Sequence, residues 1–332
     1  MYTYEEFADK ALEYVEEHGE AWLGKVKFSL QNATKINATR LGICCEKLDT
    51  DYRIAPVVYL EEIYECYQKY DDFEGVMDSL LSTMKDAYEE RDSFDEEFVD
   101  KLRNLLNDHG DIMFSLIHTE QNRELLETMP HRSFLNLSIV YHWLFYEDEV
   151  GTATIPITNE IAERMGLEEE DLYQLAYQNT REKTKPTVRP MREVIKALVS
   201  DAENCEMRED ADEFLKDIGL FVLTNASRER GAIGVLYPDL LQALSEQYES
   251  DLYLIPCSVH EMIVIPECFA DGEEHMKNLI QEGNKHVSKY ERLSNDLYKY
   301  DAKNQTIVQV TNTDQTQLLE LEEEEVVGME MV

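Results

Sequence analysis

The chain has 332 residues, 43% of them hydrophobic, and its 31 basic and 70 acidic residues give a formal net charge of −39 at pH 7. A surface this acidic repels the phosphates of nucleic acids and anionic lipid headgroups, so we expect neither a nucleic-acid nor a membrane partner. The length is enough for one large hydrophobic core or two smaller ones.

The cysteines and the apolar segments indicate the cellular compartment of the protein. No basic segment followed by an apolar run opens the sequence, and no run approaches the ~20 apolar residues of a membrane-spanning helix. The 6 cysteines are too few for a disulfide framework in a chain of this length, and no two form a CxxC pair that would indicate a zinc site. The sequence also lacks a Gly-rich phosphate loop and a G-x-S-x-G motif. It therefore predicts a cytoplasmic protein without a metal or a cofactor.

Residues 1–182 are predicted to form an N-terminal α+β region. Thr3 and Glu6 have the spacing of a capping box, which predicts that a helix begins there and ends at Gly19. Two strands follow, at residues 22–30 and 41–48, and the polar residues between them are typical of a loop. The next apolar residues at helical spacing predict further amphipathic helices.

The longest strand signal is the alternation of large apolar residues from Leu135 to Phe145. A turn at Glu147–Gly151 and a second alternating run at 153–157 predict a hairpin with this strand. The apolar run Ile112–Ile117 predicts another strand of the same region. Asn159 stands before a helical pattern and is predicted to be its N-cap.

The connector Lys183–Arg189 is basic and contains a proline, so we predict the domain boundary there. It would separate the N-terminal region from a C-terminal α+β region at residues 190–312. Residues 313–332 are rich in Glu and contain no basic residue, which is typical of a disordered acidic tail.

The stretch from Leu220 to Pro266 organises the C-terminal region. Its apolar runs and turn residues predict a strand, a turn, a second strand at 233–237, a helix that begins at Pro238, and then a second hairpin at 252–265. One helix on one face of an antiparallel sheet is an α+β arrangement. The predicted fold class is therefore α+β, with mainly antiparallel sheets formed from β-hairpins and with amphipathic helices packed on one face.

The turns of this stretch hold the candidate binding residues, which are Thr224, Asn225, Arg228, Arg230 and Ser258. A guanidinium in the turn before Gly231 could hold a carboxylate or a phosphate. If the two hairpin turns meet, Arg228, Asn225, Ser258 and His260 would share one small polar pocket. The alternative is structural: Thr224 and Asn225 cap their own turn, and the arginines pair with acidic residues.

Three residues are candidates for acid–base chemistry: His260, Glu261 and His131. A zinc protease would need a second His at position 264, which is Val, so the sequence does not predict that class of enzyme. Because the segment has a strand pattern, His260 and Glu261 are expected on opposite faces. The structural alternative is a His that stabilises a turn and a Glu at the surface.

Several short stretches resemble one protein family. They are Phe134–Tyr141, Ile157–Asn159, Asn179–Thr180, Leu223–Asn225, Gly231–Ala232 and Ile255–Pro266. Together they are similar to domain-of-unknown-function family 5688, found in anaerobic gut bacteria, and the likeness runs from the first helix to about Val310. The resemblance implies a bacterial, intracellular protein, supports the order of the elements, and brings no assigned activity.

The sequence leaves three functions open. The first is a binding or interaction protein, with a small polar pocket at the turns of the C-terminal hairpins that receives another protein or a small anionic ligand. The second is a hydrolytic or acid–base enzyme that uses His260 with Arg228 or Asn225. The third is an acidic decoy that imitates nucleic acid toward a basic nucleic-acid-binding protein. We favour the first because it requires no residue that the sequence lacks.

Overall fold

The computed structural model describes residues 1–48, 55–92, 104–107, 109–147, 152–200 and 219–310. The chain divides into two compact units, residues 1–107 and residues 108–332. Helices and antiparallel sheets make up the described residues, which confirms the predicted α+β class. The predicted acidic tail lies outside the described residues. No helix in the described ranges has the length and apolar character needed to cross a membrane.

The first unit combines helices with an antiparallel sheet in the strand order β1-β2-β3. Its elements are α1 (Tyr4–Leu23), β1 (Val26–Lys35), β2 (Ala38–Lys47), β3 (Val57–Tyr59), α2 (Leu60–Tyr70) and α3 (Phe73–Asp92). One apolar face of α1, with Phe7 and Val15, packs against buried residues of α3 that include Leu80. Helix and sheet therefore share one core in this unit.

The predicted start of α1 is confirmed, whereas its predicted end is wrong. The Thr3 hydroxyl accepts the N–H of Glu6 at 3.3 Å, and the Glu6 carboxylate accepts the N–H of Thr3 at 2.9 Å, as in a capping box. The helix continues past Gly19 to Leu23. Gly19 is a packing site, because a Cβ there would lie 2.4 Å from the ring of Phe28.

The loop predicted between the first two strands is also wrong. β1 and β2 stay paired to Lys35 and Ala38, and the connection is a two-residue turn in which Asn37 has φ 63°. Asn tolerates this left-handed conformation, which gives a two-residue hairpin turn the twist of its strands. The polar residues of the segment therefore belong to an exposed, long hairpin.

The first sheet of the second unit is built around one long strand, β6. Its strands are β4 (Ile112–His118), β5 (His131–Phe134), β6 (Leu137–Glu147) and β7 (Thr152–Pro156). β4 pairs with one side of β6, while β5 and β7 pair with the other. The β6–β7 pair confirms the hairpin that the alternation predicted, with Trp143 opposite Ile155.

Three helices accompany this sheet: α4 (Arg123–Leu126), α5 (Asn159–Met165) and α6 (Glu169–Thr184). The predicted N-cap at Asn159 is wrong by one residue, because the Thr158 hydroxyl accepts the N–H of Ile161. α6 covers the open edge of β4. The Thr180 hydroxyl accepts the N–H of Phe114 at 3.2 Å, so a backbone donor at a sheet edge is satisfied by a helix side chain.

The second sheet of this unit has the strand order β13-β12-β10-β11-β9-β8, and every pair is antiparallel. Its strands are β8 (Thr187–Pro190), β9 (Phe221–Thr224), β10 (Leu252–Ile255), β11 (Met262–Pro266), β12 (Leu297–Asp301) and β13 (Thr306–Val310). The helices in this part are α7 (Met191–Ser200), α8 (Pro238–Tyr248) and α9 (Glu273–Asn284). The predicted β10–β11 hairpin is confirmed, and β12 and β13 form a further antiparallel hairpin.

Two strand predictions in this part are wrong. Residues 233–237 were predicted as the partner of β9, but Gly231–Leu236 is a 3₁₀ helix. β9 already has β8 on one side and β11 on the other, so neither edge is open to a third strand. The residues from Ser258 to Glu261 form a turn before β11, so the predicted strand placement of His260 is also wrong.

Candidate functional site

Two turns of the second unit lie side by side because β9 pairs with β11. β9 ends at Thr224, near the residue where β11 begins. The Thr224 hydroxyl donates to the carbonyl of His260 at 3.0 Å, and the backbone N–H of Arg230 donates to Nδ1 of His260 at 3.2 Å. The turn after β9 and the turn before β11 are thus hydrogen-bonded to each other.

Gly231 is the point of closest approach between these turns. A Cβ built there would lie 2.5 Å from the Thr224 hydroxyl and 2.6 Å from the carbonyl oxygen of His260. Such distances do not occur for real side chains, so only glycine fits without a backbone shift. The residue is needed here for close backbone approach.

The turn after β9 has a fixed internal structure. The Asn225 side chain is 1% exposed and donates to the carbonyl of Glu229 at 2.7 Å, while the Ser227 hydroxyl donates to Asn225 at 3.2 Å. Arg228 and Arg230 both have left-handed backbones, with φ 60° and 52°. Left-handed backbone at a residue other than glycine is uncommon and costs free energy, so the surrounding contacts must hold it.

A cavity of about 30 Å³ lies against this turn. It is lined by Met113, Phe114, His142, Leu144, Thr154, Thr180, Thr184, Asn225, Ser227, Glu229 and Arg230. The space is enough for a water molecule or for a small polar head group. Strands β4, β6 and β7, helix α6 and the turn after β9 thus all contribute residues to the cavity wall.

Arg230 extends from the turn toward β7, where its Nη2 donates to the Thr154 hydroxyl at 3.0 Å. Burial lowers the pKa of the guanidinium, because removal from water disfavours its charge. Within the described residues no carboxylate forms an ion pair with it, although Glu229 lies near enough to oppose this effect of burial. The cavity wall therefore carries a guanidinium that forms no ion pair within the described part of the chain.

His142 of β6 presents a second polar group to the cavity. Its side chain is buried, and its Nδ1 has no hydrogen-bond partner within the described residues. Burial, and to a smaller extent the nearby charge of Arg230, hold the pKa of this imidazole well below its usual range. The ring is neutral near pH 7, and a bound group could use its unpaired nitrogen.

His260 supports the turn through its imidazole ring. Its Nδ1 accepts the N–H of Arg230, so the proton of the neutral ring is on Nε2. Oε2 of Glu229 is 3.4 Å from Nδ1, and Oε1 of Glu291 is 3.9 Å from Nε2. His260 thus connects the backbone of the arginine to two carboxylates at the surface.

The family of this chain is shown by sequence comparison. A model of a family of unknown function, DUF5688, matches residues 4–302. The chain belongs to this family. No curated protein and no solved structure gave a significant match. The match spans every residue that lines the cavity, so the DUF5688 region contains the whole candidate site.

In this DUF5688 chain the candidate binding residues do not all reach the cavity. Asn225 and Arg230 line it, and Thr224 lies behind them at the contact between the turns. The Ser258 hydroxyl accepts the N–H of His260 at 3.1 Å and so stabilises the second turn. Arg228 is exposed, and its guanidinium makes no hydrogen bond or ion pair within the described residues.

The other acid–base candidates lie elsewhere. Glu261 is exposed, and its carbonyl accepts the N–H of Ser258 at 3.3 Å. His131 begins β5 and contacts the carbonyl of Met129 at 3.1 Å. It lines a separate cavity of about 590 Å³ with Glu163 and other acidic residues. Neither residue takes part in the site at the turn.

Sequence analysis missed the opposite wall of the cavity, which consists of His142, Thr154, Thr180 and Thr184. One signal was available: His142 lies between the apolar residues Val140 and Leu144 at the alternate positions of its strand. A buried polar side chain needs a hydrogen-bond partner, so a histidine in a buried strand indicates a candidate site. For metal binding, the described residues offer no group of three or more His, Cys, Asp or Glu ligands.

Proposed function

We propose that this chain is a cytosolic binding protein whose ligand is a small anion, held in the cavity at the turn 224–231. The observation that supports this most is the guanidinium of Arg230, which faces the cavity without a carboxylate partner among the described residues. A half-buried charge without a partner costs free energy in a folded protein, because it loses part of its hydration. The chain has 70 acidic residues with which to neutralise it, so the absence of such a pair in the described ranges favours an anion from solution.

The remaining polar groups suit the same ligand. A guanidinium can hold a carboxylate through two parallel hydrogen bonds, which fixes its orientation as well as its charge. His142, whose Nδ1 has no hydrogen-bond partner within the described residues, and Thr154 both line the cavity. The ligand would therefore be held by one strong charge and by neutral hydrogen-bonding groups, in a cavity suited to a head group of few atoms. The cytosolic location in this proposal is supported by the composition alone.

Arg230→Met is expected to weaken the binding of acetate, the simplest probe of this chemistry, at least ~10-fold, because hydrogen bonds to a charged group contribute about 1.5–3 kcal/mol. The measurement is a titration with sodium acetate at constant ionic strength, followed by nuclear magnetic resonance. Arg228→Met is the matched control, since Arg228 lies in the same turn, has the same left-handed backbone and is exposed. Equal acetate binding by both variants and the wild type would contradict the proposal.

The same substitution is expected to raise the stability of the ligand-free protein by about 1 kcal/mol. Replacing the half-buried charge of Arg230 with an apolar side chain of similar length removes its desolvation penalty, which is expected to exceed the value of one hydrogen bond to a hydroxyl. Urea unfolding of the Arg230→Met and Arg228→Met variants beside the wild type measures this. A loss of about 2 kcal/mol or more in the Arg230 variant, the size expected for a broken buried network, would show that the arginine serves the fold.

A further inference from the structure

The charges that line the cavity include one carboxylate beside the guanidinium. Glu229 precedes Arg230 in the turn, and its side chain is 47% exposed, so it lies at the open side of the cavity. His142 is neutral. The lining residues therefore present one positive and one negative charge, and the two do not form an ion pair with each other.

The charge of Glu229 is not cancelled by its neighbour His260. Its Oε2 lies 3.4 Å from Nδ1, but that nitrogen already accepts the N–H of Arg230 and has no proton to donate. The neutral ring carries its proton on Nε2, which faces Glu291 instead. The backbone of Glu229 is also fixed, because its carbonyl accepts from Asn225. The turn thus places a half-exposed carboxylate among the residues that line the cavity.

Arg230 attracts a simple anion, while Glu229 repels it in part. A carboxylate near a bound anion repels it, so Glu229 would cancel part of the attraction of Arg230. The overall charge of −39 further opposes the approach of any anion. A phosphate dianion would meet one cation and one anion. A ligand without net charge escapes the repulsion and can use both groups.

We infer that the ligand is a small ammonio-carboxylate, such as an amino acid, whose carboxylate lies on Arg230 and whose ammonium group lies on Glu229. This inference rests on the proposed function, because it uses the same cavity and the same arginine. The cavity of about 30 Å³ holds the carboxylate, and the rest of the molecule extends past Glu229 toward solvent. Arg230 and Glu229 both line the cavity, so each charged group of such a ligand has one partner of opposite charge there.

Glycine and acetate are the probes that test the inference, because they differ by the ammonium group alone. In titrations at equal ionic strength, glycine is expected to bind the wild type at least ~10-fold tighter than acetate, since one charge-assisted pair contributes about 1.5–3 kcal/mol. In Glu229→Gln the preference for glycine should disappear while acetate binds as well or better. Glu261→Gln, at an exposed glutamate of the neighbouring turn, is the matched control and should keep the preference.

The outcomes separate this inference from the proposal on which it rests. Acetate that binds through Arg230 as tightly as glycine would overturn the ammonio-carboxylate inference and leave the small-anion function standing. A preference for glycine that survives in Glu229→Gln would also overturn it, because the ammonium group would then be held elsewhere. If neither probe binds in a way that depends on Arg230, both ideas fail.

Discussion

Gly231→Ala is expected to lower the free energy of unfolding of the second unit by about 3 kcal/mol, at the upper end of the range for overpacking in a closely packed region. The new Cβ would lie 2.6 Å from the carbonyl oxygen of His260 and 2.8 Å from the backbone nitrogen of Asn225. Both are backbone atoms of the two hydrogen-bonded turns, so they cannot move aside as a flexible side chain would. Arg230 would be displaced with them, and acetate binding should fall as well.

The control for this prediction is Gly283→Ala in α9. A Cβ at Gly283 meets no atom within 4 Å, and alanine is favoured over glycine inside a helix by up to ~1 kcal/mol. The control is therefore expected to match or exceed the wild type in urea unfolding. Two compact units can unfold separately, so the transition of the second unit should be assigned by a probe such as Trp143 fluorescence. A Gly231 variant within about 1 kcal/mol of the wild type, below the usual cost of overpacking, would show that the turns can separate easily.

The elements that the sequence predicts correctly are those whose signals are local. A capping box needs Thr3 and Glu6 alone, and the β6–β7 and β10–β11 hairpins need alternation on both sides of a short connection. The errors arise where tertiary packing decides. The 233–237 segment has a strand pattern, but the position that such a strand would take beside β9 belongs to β8 and β11.

The candidate site likewise combines residues that the sequence predicted with residues that it could not predict. Asn225 and Arg230 belong to a turn that sequence chemistry identifies, and they line the cavity. Thr154 is 76 positions from Arg230, so no local pattern could place them together. Sequence could not choose between Arg228 and Arg230 either, because both lie in the same turn. The direction of each guanidinium depends on the left-handed backbone and on the hydroxyl that Arg230 reaches.

His142 is expected to make the stability of the second unit depend on pH below neutrality. Burial and Arg230 hold its folded-state pKa well below the usual range, whereas the unfolded chain has a pKa near ~6.5. Below that pH the unfolded state binds a proton that the folded state does not bind. The contribution of His142 is thus complete above pH ~6.5 and is lost as pH falls from there toward the folded-state pKa. Between the two pKa values the slope approaches ~1.4 kcal/mol per pH unit.

Two variants isolate this contribution from that of the many carboxylates, which also titrate in acid. His142→Gln keeps a neutral polar group and should unfold in urea with a shallower pH dependence between about 6.5 and 5. Arg230→Met removes the second cause of the pKa shift, so the pH dependence of its unfolding free energy should lie between that of His142→Gln and that of the wild type.

If the glutamine variant does not fold, the ring resonances of His142 in the wild type report the protonation state of the imidazole directly. They should keep their neutral-form chemical shifts at pH ~5.5, and a titration with a midpoint near ~6.5 would show that the imidazole is open to water. A ring that stays neutral beside a guanidinium without a carboxylate partner in the described ranges is the arrangement expected of a cavity in which the ligand supplies the negative charge.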